Sequence, residues 1–239
     1  MSQTPRTRFE ELDARATPMG EISLRRRFDL TANTEVYEVK LGDEFLMSSL
    51  FTAGEVALAD LAFRATATAE LDVVVAGLGL GYTAAAVLGE RRVRALAVVE
   101  ALPEVIGWHE QGLLPMSERL TSDPRCTFVV GDFFAMISSQ VRFGETGDAH
   151  DAILVDIDHS PRHHLHARHA SFYEVAGQRR LAQRLAQGGV YALWSDDPPD
   201  ARYVAVARSA FRRCEGHVVT FPNPLTGGES ANTVYVATQ

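Results

Sequence analysis

The chain has 239 residues, 46% of them hydrophobic and 23% charged, which is enough to bury a large core, and a formal net charge of −8. That charge argues against nucleic acid as a partner, because releasing counterions from phosphates needs a cationic surface, and it suits a cationic small molecule. Cys126 and Cys214 lie too far apart for a disulfide framework or a metal spacing, and no stretch reaches the ~18 uncharged apolar residues of a membrane span, so a reducing cytoplasm and no membrane are expected.

The opening MSQTPRTRFEELD lacks the apolar core of a signal peptide. Short strands are predicted between residues 22 and 48, at EISLRR, EVYEVKLG and EFLMSS, with DLTANT and GD as turns. TAGEVALADLAFRA follows as a helix starting near Thr52 or Gly54.

From residue 72 strands alternate with helices. The strands are DVVVAG, ALAVVE, CTFVV, AILVDI, GVYALW, HVVTF and TVYVAT; helices are expected from about Gly81, from about Pro103, after Gly131, up to about Ala186, and from about Pro199. Near-continuous apolar strands joined by helices predict an α/β fold whose parallel sheet is covered on both faces. PNPLTGGESAN is too short for a helical crossover, so the last strand is expected to be reversed. The expected division is an N-terminal β-hairpin region, 1–50, and a nucleoside-binding catalytic region, 51–239.

VVVAGLGLGYTAAAVL is a strand, a turn with Gly77, Gly79 and Gly81, and a helix. Such a turn brings backbone amides close to a ligand at a helix N-terminus. Glu100 ends the next strand, where a carboxylate can accept the hydroxyls of a ribose. The third glycine of a dinucleotide pattern would fall on Tyr82, so a nucleoside is expected rather than a dinucleotide. Asp132 and Asp156 stand at the ends of the next two strands. The first can accept from an exocyclic amine or cap a helix; the second can do chemistry at the sheet's C-terminal edge or order a loop.

DIDHSPRHHLHARHASFY, residues 156 to 173, holds two carboxylates and five histidines within fourteen positions. It follows the fourth strand of the core sheet and passes over the ligand edge, as a cover or as an inert surface loop whose histidines can titrate near neutral pH. Asp158, His159, His163 and His166 offer metal-ligand chemistry, but Pro161 and Arg162 interrupt the pattern and no metal is expected. LWSDDPPDARY places Asp196 and Asp197 beside Asp156 as amine ligands, or else supplies a helix cap at Asp197 or Asp200. Trp108 and His109 read as packing and surface residues.

The order and spacing of VVVAGLGLGYT, VVEALPEVI, DPRCTFVVGD, DAILVDI, SFY and LAQGGVYAL resemble the class I AdoMet-dependent transferases and, within them, the spermidine synthase (polyamine aminopropyltransferase) family, from about residue 22 to the end. The resemblance implies a β-rich N-terminal piece on a seven-stranded Rossmann-like sheet. It implies that Gly77, Gly79 and Gly81 cradle S-adenosylmethionine or its decarboxylated form, Glu100 its ribose and Asp132 its adenine. Asp156 would help deprotonate the attacking amine, with Asp158 and His159 orienting the acceptor and Tyr173, Asp196 and Asp197 on the substrate side. The family's loop acid falls on Leu80, the partner of Glu100 on Leu102, the second acid of its D-x-x-D on His159, and its Tyr-His pair on Ala53 and Gly54. The function expected is group transfer to an amine-bearing small molecule, with a homodimer left open. The alternatives are a small-molecule methyltransferase, whose usual acid two residues before the first glycine falls on Val75, and a nucleoside-binding or scaffolding protein without catalysis.

Overall fold

A computed structural model describes residues 9–144 and 147–239. Four strands, β1 (Phe9–Thr17), β2 (Gly20–Asp29), β3 (Thr34–Leu41) and β4 (Glu44–Ser48), pair in sequence order as an antiparallel sheet. Ile22, Leu24, Val36 and Val39 are buried on it, whereas β1, paired to β2 from Phe9 to Thr17, is an edge strand that carries exposed charge pairs. The Glu10 carboxylate accepts from Arg26 at 2.6 Å, and Glu11 lies 3.8 Å from Arg25. β1 was absent from the expected elements. Its register shifts between Glu11 and Asp13, so no run of alternating apolar residues marks it.

Helix α1 (Ala53–Arg64) leads into the second sheet. Its elements are β5 (Leu71–Ala76), α2 (Tyr82–Gly89), β6 (Val93–Glu100), α3 (Pro103–Glu110), α4 (Ser117–Ser122), β7 (Cys126–Val130), α5 (Phe133–Ser139) and β8 (His150–Val155). A 3₁₀ turn, Ala167–Tyr173, then precedes α6 (Val175–Ala182), β9 (Leu185–Ser195), α7 (Ala201–Arg208), β10 (Arg213–Asn223) and β11 (Gly228–Thr238). Among the described residues this sheet has seven strands in the order β10-β11-β9-β8-β5-β6-β7; β11 runs antiparallel to both neighbours. The expected reversed strand is therefore β11, hydrogen-bonded between β9 and β10. Helix α6 stops at Ala182, short of the expected Ala186, because Leu185 already pairs with His150 as the first residue of β9.

Alternation along the strands builds a core on each face. Val73 and Val75 of β5 point to the side of α1 and α2, with Trp108 fully buried there; Val74 and Ala76 point to the side of α5 and α6 with Ile153 and Tyr191. The Trp108 indole N–H donates to Asp13 at 2.8 Å, which ties β1 to α3. The chain leaves β5 for β6 on one side and returns to β8 on the other. The C-terminal ends of β5 and β8 therefore flank a topological switch point, where open α/β sheets form a crevice.

Candidate active site

The glycine turn fills that crevice. Gly77, Gly79 and Gly81 take φ of +95°, +48° and +88°, values that favour glycine. At Gly77 space is decisive as well: a Cβ there would lie 2.1 Å from the Asp156 carbonyl oxygen, so only a hydrogen fits between β5 and β8. The amides of Leu78 and Leu102 donate to the two oxygens of Glu100 at 3.0 and 2.9 Å, and burial pushes this carboxyl above its usual range despite those donors. Glu100 thus braces the turn while retaining lone pairs for a further donor.

Two cavities meet at this turn. The smaller, about 100 Å³, runs from Gly77 and Gly79 past Glu100 and Leu102 to Asp132, under Leu165 and Arg168. Asp132 caps α5 by accepting the Ala135 amide at 3.1 Å, and its second oxygen faces Arg168 at 3.2 Å. The helix cap and the crevice position coexist. The larger cavity, about 440 Å³, lies on the other side of the turn and is walled by Phe45, Met47, Phe51, Trp194 and Phe221.

Its acids are Asp156, Asp196 and Glu55. Asp156 accepts from the Thr83 hydroxyl at 2.6 Å, and burial pushes its pKa up to about 6. Burial, together with the charge of Asp156, pushes Glu55 up to about 8. The two carboxyls titrate as one system, so in the protein alone they hold protons in the range where ordinary carboxylates have lost them. Glu55 was missed by sequence reasoning, which used its segment only to start α1. The available signal was an acid in the first turn of the helix, next to Gly54, which is buried and packed on Trp194. Asp196 accepts from the Asn232 amide at 3.0 Å. His159 also lines this cavity and pairs with Glu44 at 3.1 Å.

Three residues expected at the substrate are placed elsewhere. Asp158, 1% exposed, lines neither cavity. It accepts from the Leu165 amide, the His169 ring and the Tyr173 hydroxyl at 2.8, 2.8 and 2.9 Å. Tyr173 is buried with it, and Asp197 faces His163 at 3.2 Å outside the cavity. The strap from residue 156 to residue 173 is thus organised around a buried carboxylate that satisfies three donors. Its histidines are dispersed: His164 stacks on Tyr173 at 4.9 Å, His166 accepts the Arg168 amide, and His169 packs at a tilt against Phe134 with ring centres 4.1 Å apart. Among the described residues no three metal-binding side chains converge. Asp200, rather than Asp197, caps α7 by accepting from the Arg202 amide at 2.8 Å.

No protein-family model matches the sequence, and no curated protein matches it significantly. Solved structures do. The spermidine synthase of Thermotoga maritima aligns with a TM-score of 0.72 at 15% identity, over 95% of this chain and 72% of its own. A spermidine synthase in complex with the transition state analogue AdoDATO aligns at 0.74 and 14%, over 95% and 73%. Human methyltransferase-like protein 13 in complex with SAH aligns at 0.51 and 18%, over 77% and 78%. The chain therefore has the fold of the spermidine synthase-like class I AdoMet-dependent transferases, a seven-stranded sheet with one reversed strand and a small antiparallel sheet before it.

Proposed function

We propose that the chain is a spermidine synthase-like group transferase, which binds AdoMet or decarboxylated AdoMet at the glycine turn and transfers a group to an amine-bearing small molecule in the larger cavity. The observation that carries this reading is the placement of two half-buried carboxyls with raised pKa values, Asp156 and Glu55, in an aromatic-walled cavity that opens onto the turn. The residues fit the donor. Gly77 and Gly79 present bare backbone to both cavities, and Glu100 and Asp132 line the adjoining crevice as acceptors.

A bound sulfonium donor supplies an electrophilic carbon next to a leaving thioether. The chain's part is to deliver a neutral amine to that carbon. An alkylammonium entering the cavity is attracted by Asp156 and Glu55 and displaces the protons they hold; Phe45, Phe51 and Trp194 cover its apolar part and exclude water. Asp156 then accepts a proton from the nitrogen, whose freed lone pair forms the new bond. Thr83 keeps the carboxylate in place.

Methyl transfer is the second reading. It is favoured by Leu80, an apolar side chain 4% exposed at the position where the resembling family has an acid for the donor's terminal amine. Mass analysis of the product separates the two. Asp156→Asn tests the base: turnover should fall at least ~100-fold while methylthioadenosine affinity stays within ~3-fold. An unchanged rate removes Asp156 from that role.

A further inference from the structure

His109 takes no part in the reading above, yet its placement is specific. It lies on α3, 1% exposed, with Nε2 2.9 Å from the Gly79 carbonyl oxygen. A carbonyl only accepts, so Nε2 carries the proton and Nδ1 the lone pair. That Nδ1 is buried without a partner, and burial holds the ring's pKa below its ordinary value, so the ring stays neutral. An orphaned buried nitrogen costs stability, and an apolar ring beside Phe128 would avoid that cost.

The benefit lies in the turn. A trans peptide is planar, so fixing the Gly79 carbonyl toward α3 aims the Leu80 N–H the opposite way. The neighbouring amides are occupied: Gly77 donates to Val99, Leu78 to Glu100 and Gly81 to Leu78. The Leu80 amide has no partner among the described residues, and Leu80 lines the larger cavity but not the nucleoside crevice.

We propose that His109 is a positioning residue: it clamps the Gly79 carbonyl so that the Leu80 amide donates into the larger cavity, to the carboxylate of a nucleoside thioether or sulfonium that carries an amino-acid tail. This rests on the reading of the glycine turn as a nucleoside seat, and it selects AdoMet over its decarboxylated form. The test is calorimetric titration of the wild type, His109→Phe and His109→Gln with S-adenosylhomocysteine and with methylthioadenosine, which lacks the tail. Phe should weaken S-adenosylhomocysteine ~10-fold and methylthioadenosine less than ~3-fold, and Gln, whose amide can reach the same carbonyl, should restore most of the loss. An equal loss for both ligands, no loss, or no rescue by Gln overturns the clamp. Should the Phe variant not fold, the ring ¹⁵N shifts of the wild type decide: the neutral Nε2–H tautomer supports the clamp and the Nδ1–H tautomer overturns it. If the wild type binds neither thioether, the nucleoside reading itself fails and this inference with it. If the wild type binds both and Phe changes neither, only the inference fails.

Discussion

Asp156 and Glu55 show what single residues contribute and how much of that the sequence reveals. Asp156 was marked out by its place after an apolar strand, at the C-terminal edge of the sheet. Glu55 was not, because its partner stands 101 positions away and only the fold brings α1 to the end of β8. Both carboxyls are raised, so the folded chain binds more protons than the unfolded one between the ordinary carboxylate range and their own. The stability they give is complete below that ordinary range and is lost as pH rises through about 6 and about 8. The ligand-free melting temperature should therefore fall from pH 5 to pH 8.5, and Glu55→Gln should flatten the upper part of that fall. A wild-type melting curve independent of pH would contradict the shifts. Glu55→Gln should also weaken amine binding by ~10-fold, since a half-buried partner for the ammonium is lost.

Among the elements, those with a regular period were readable and those fixed by polar geometry were not. The strands β5, β6, β8, β9 and β11 carry apolar runs that match their burial, so their type and order along the chain could be read directly. β1 escaped because an edge strand carrying Glu10–Arg26 and Glu11–Arg25 pairs has no period, and α4 because six residues carry too little pattern. In the strap, sequence gave a cluster of histidines and two acids, but only the packing assigns Asp158 to the interior. Asp158→Ala should leave the Leu165 amide, His169 and Tyr173 without their acceptor, at a cost of about 3 kcal/mol, and lower the melting temperature by roughly 6–12 °C. A loss below ~1 kcal/mol would show that the strap does not depend on it. The strap also reaches over the smaller cavity through Leu165 and the Arg168–Asp132 pair. A ligand seated there should slow proteolytic cleavage between Pro161 and His169, and unchanged cleavage would argue against coverage by the strap.

At the scale of the whole molecule, the site depends on both sheets. The N-terminal sheet supplies Phe45 and Met47, α1 supplies Glu55, and the β10–β11 hairpin, which extends beyond its pairing with β9, supplies Phe221 and Asn232. The contributions of the N-terminal sheet and of Glu55 could not be read from local pattern, although the reversed strand could. A net charge of −8 around an acidic cavity should speed the arrival of cationic acceptors, so kcat/KM for an amine should fall as ionic strength rises from 0.01 to 0.3 M. Among the described residues no helix is long and apolar enough to cross a membrane.

The central claim is that the glycine turn and Glu100 seat an adenosine group, and calorimetric titration with AdoMet, methylthioadenosine and NAD in one buffer tests it most directly. The account predicts that both sulfur nucleosides bind at one per chain, that Glu100→Ala weakens them ~100-fold, and that NAD binds far more weakly. Binding of NAD with no binding of either sulfur nucleoside would contradict it.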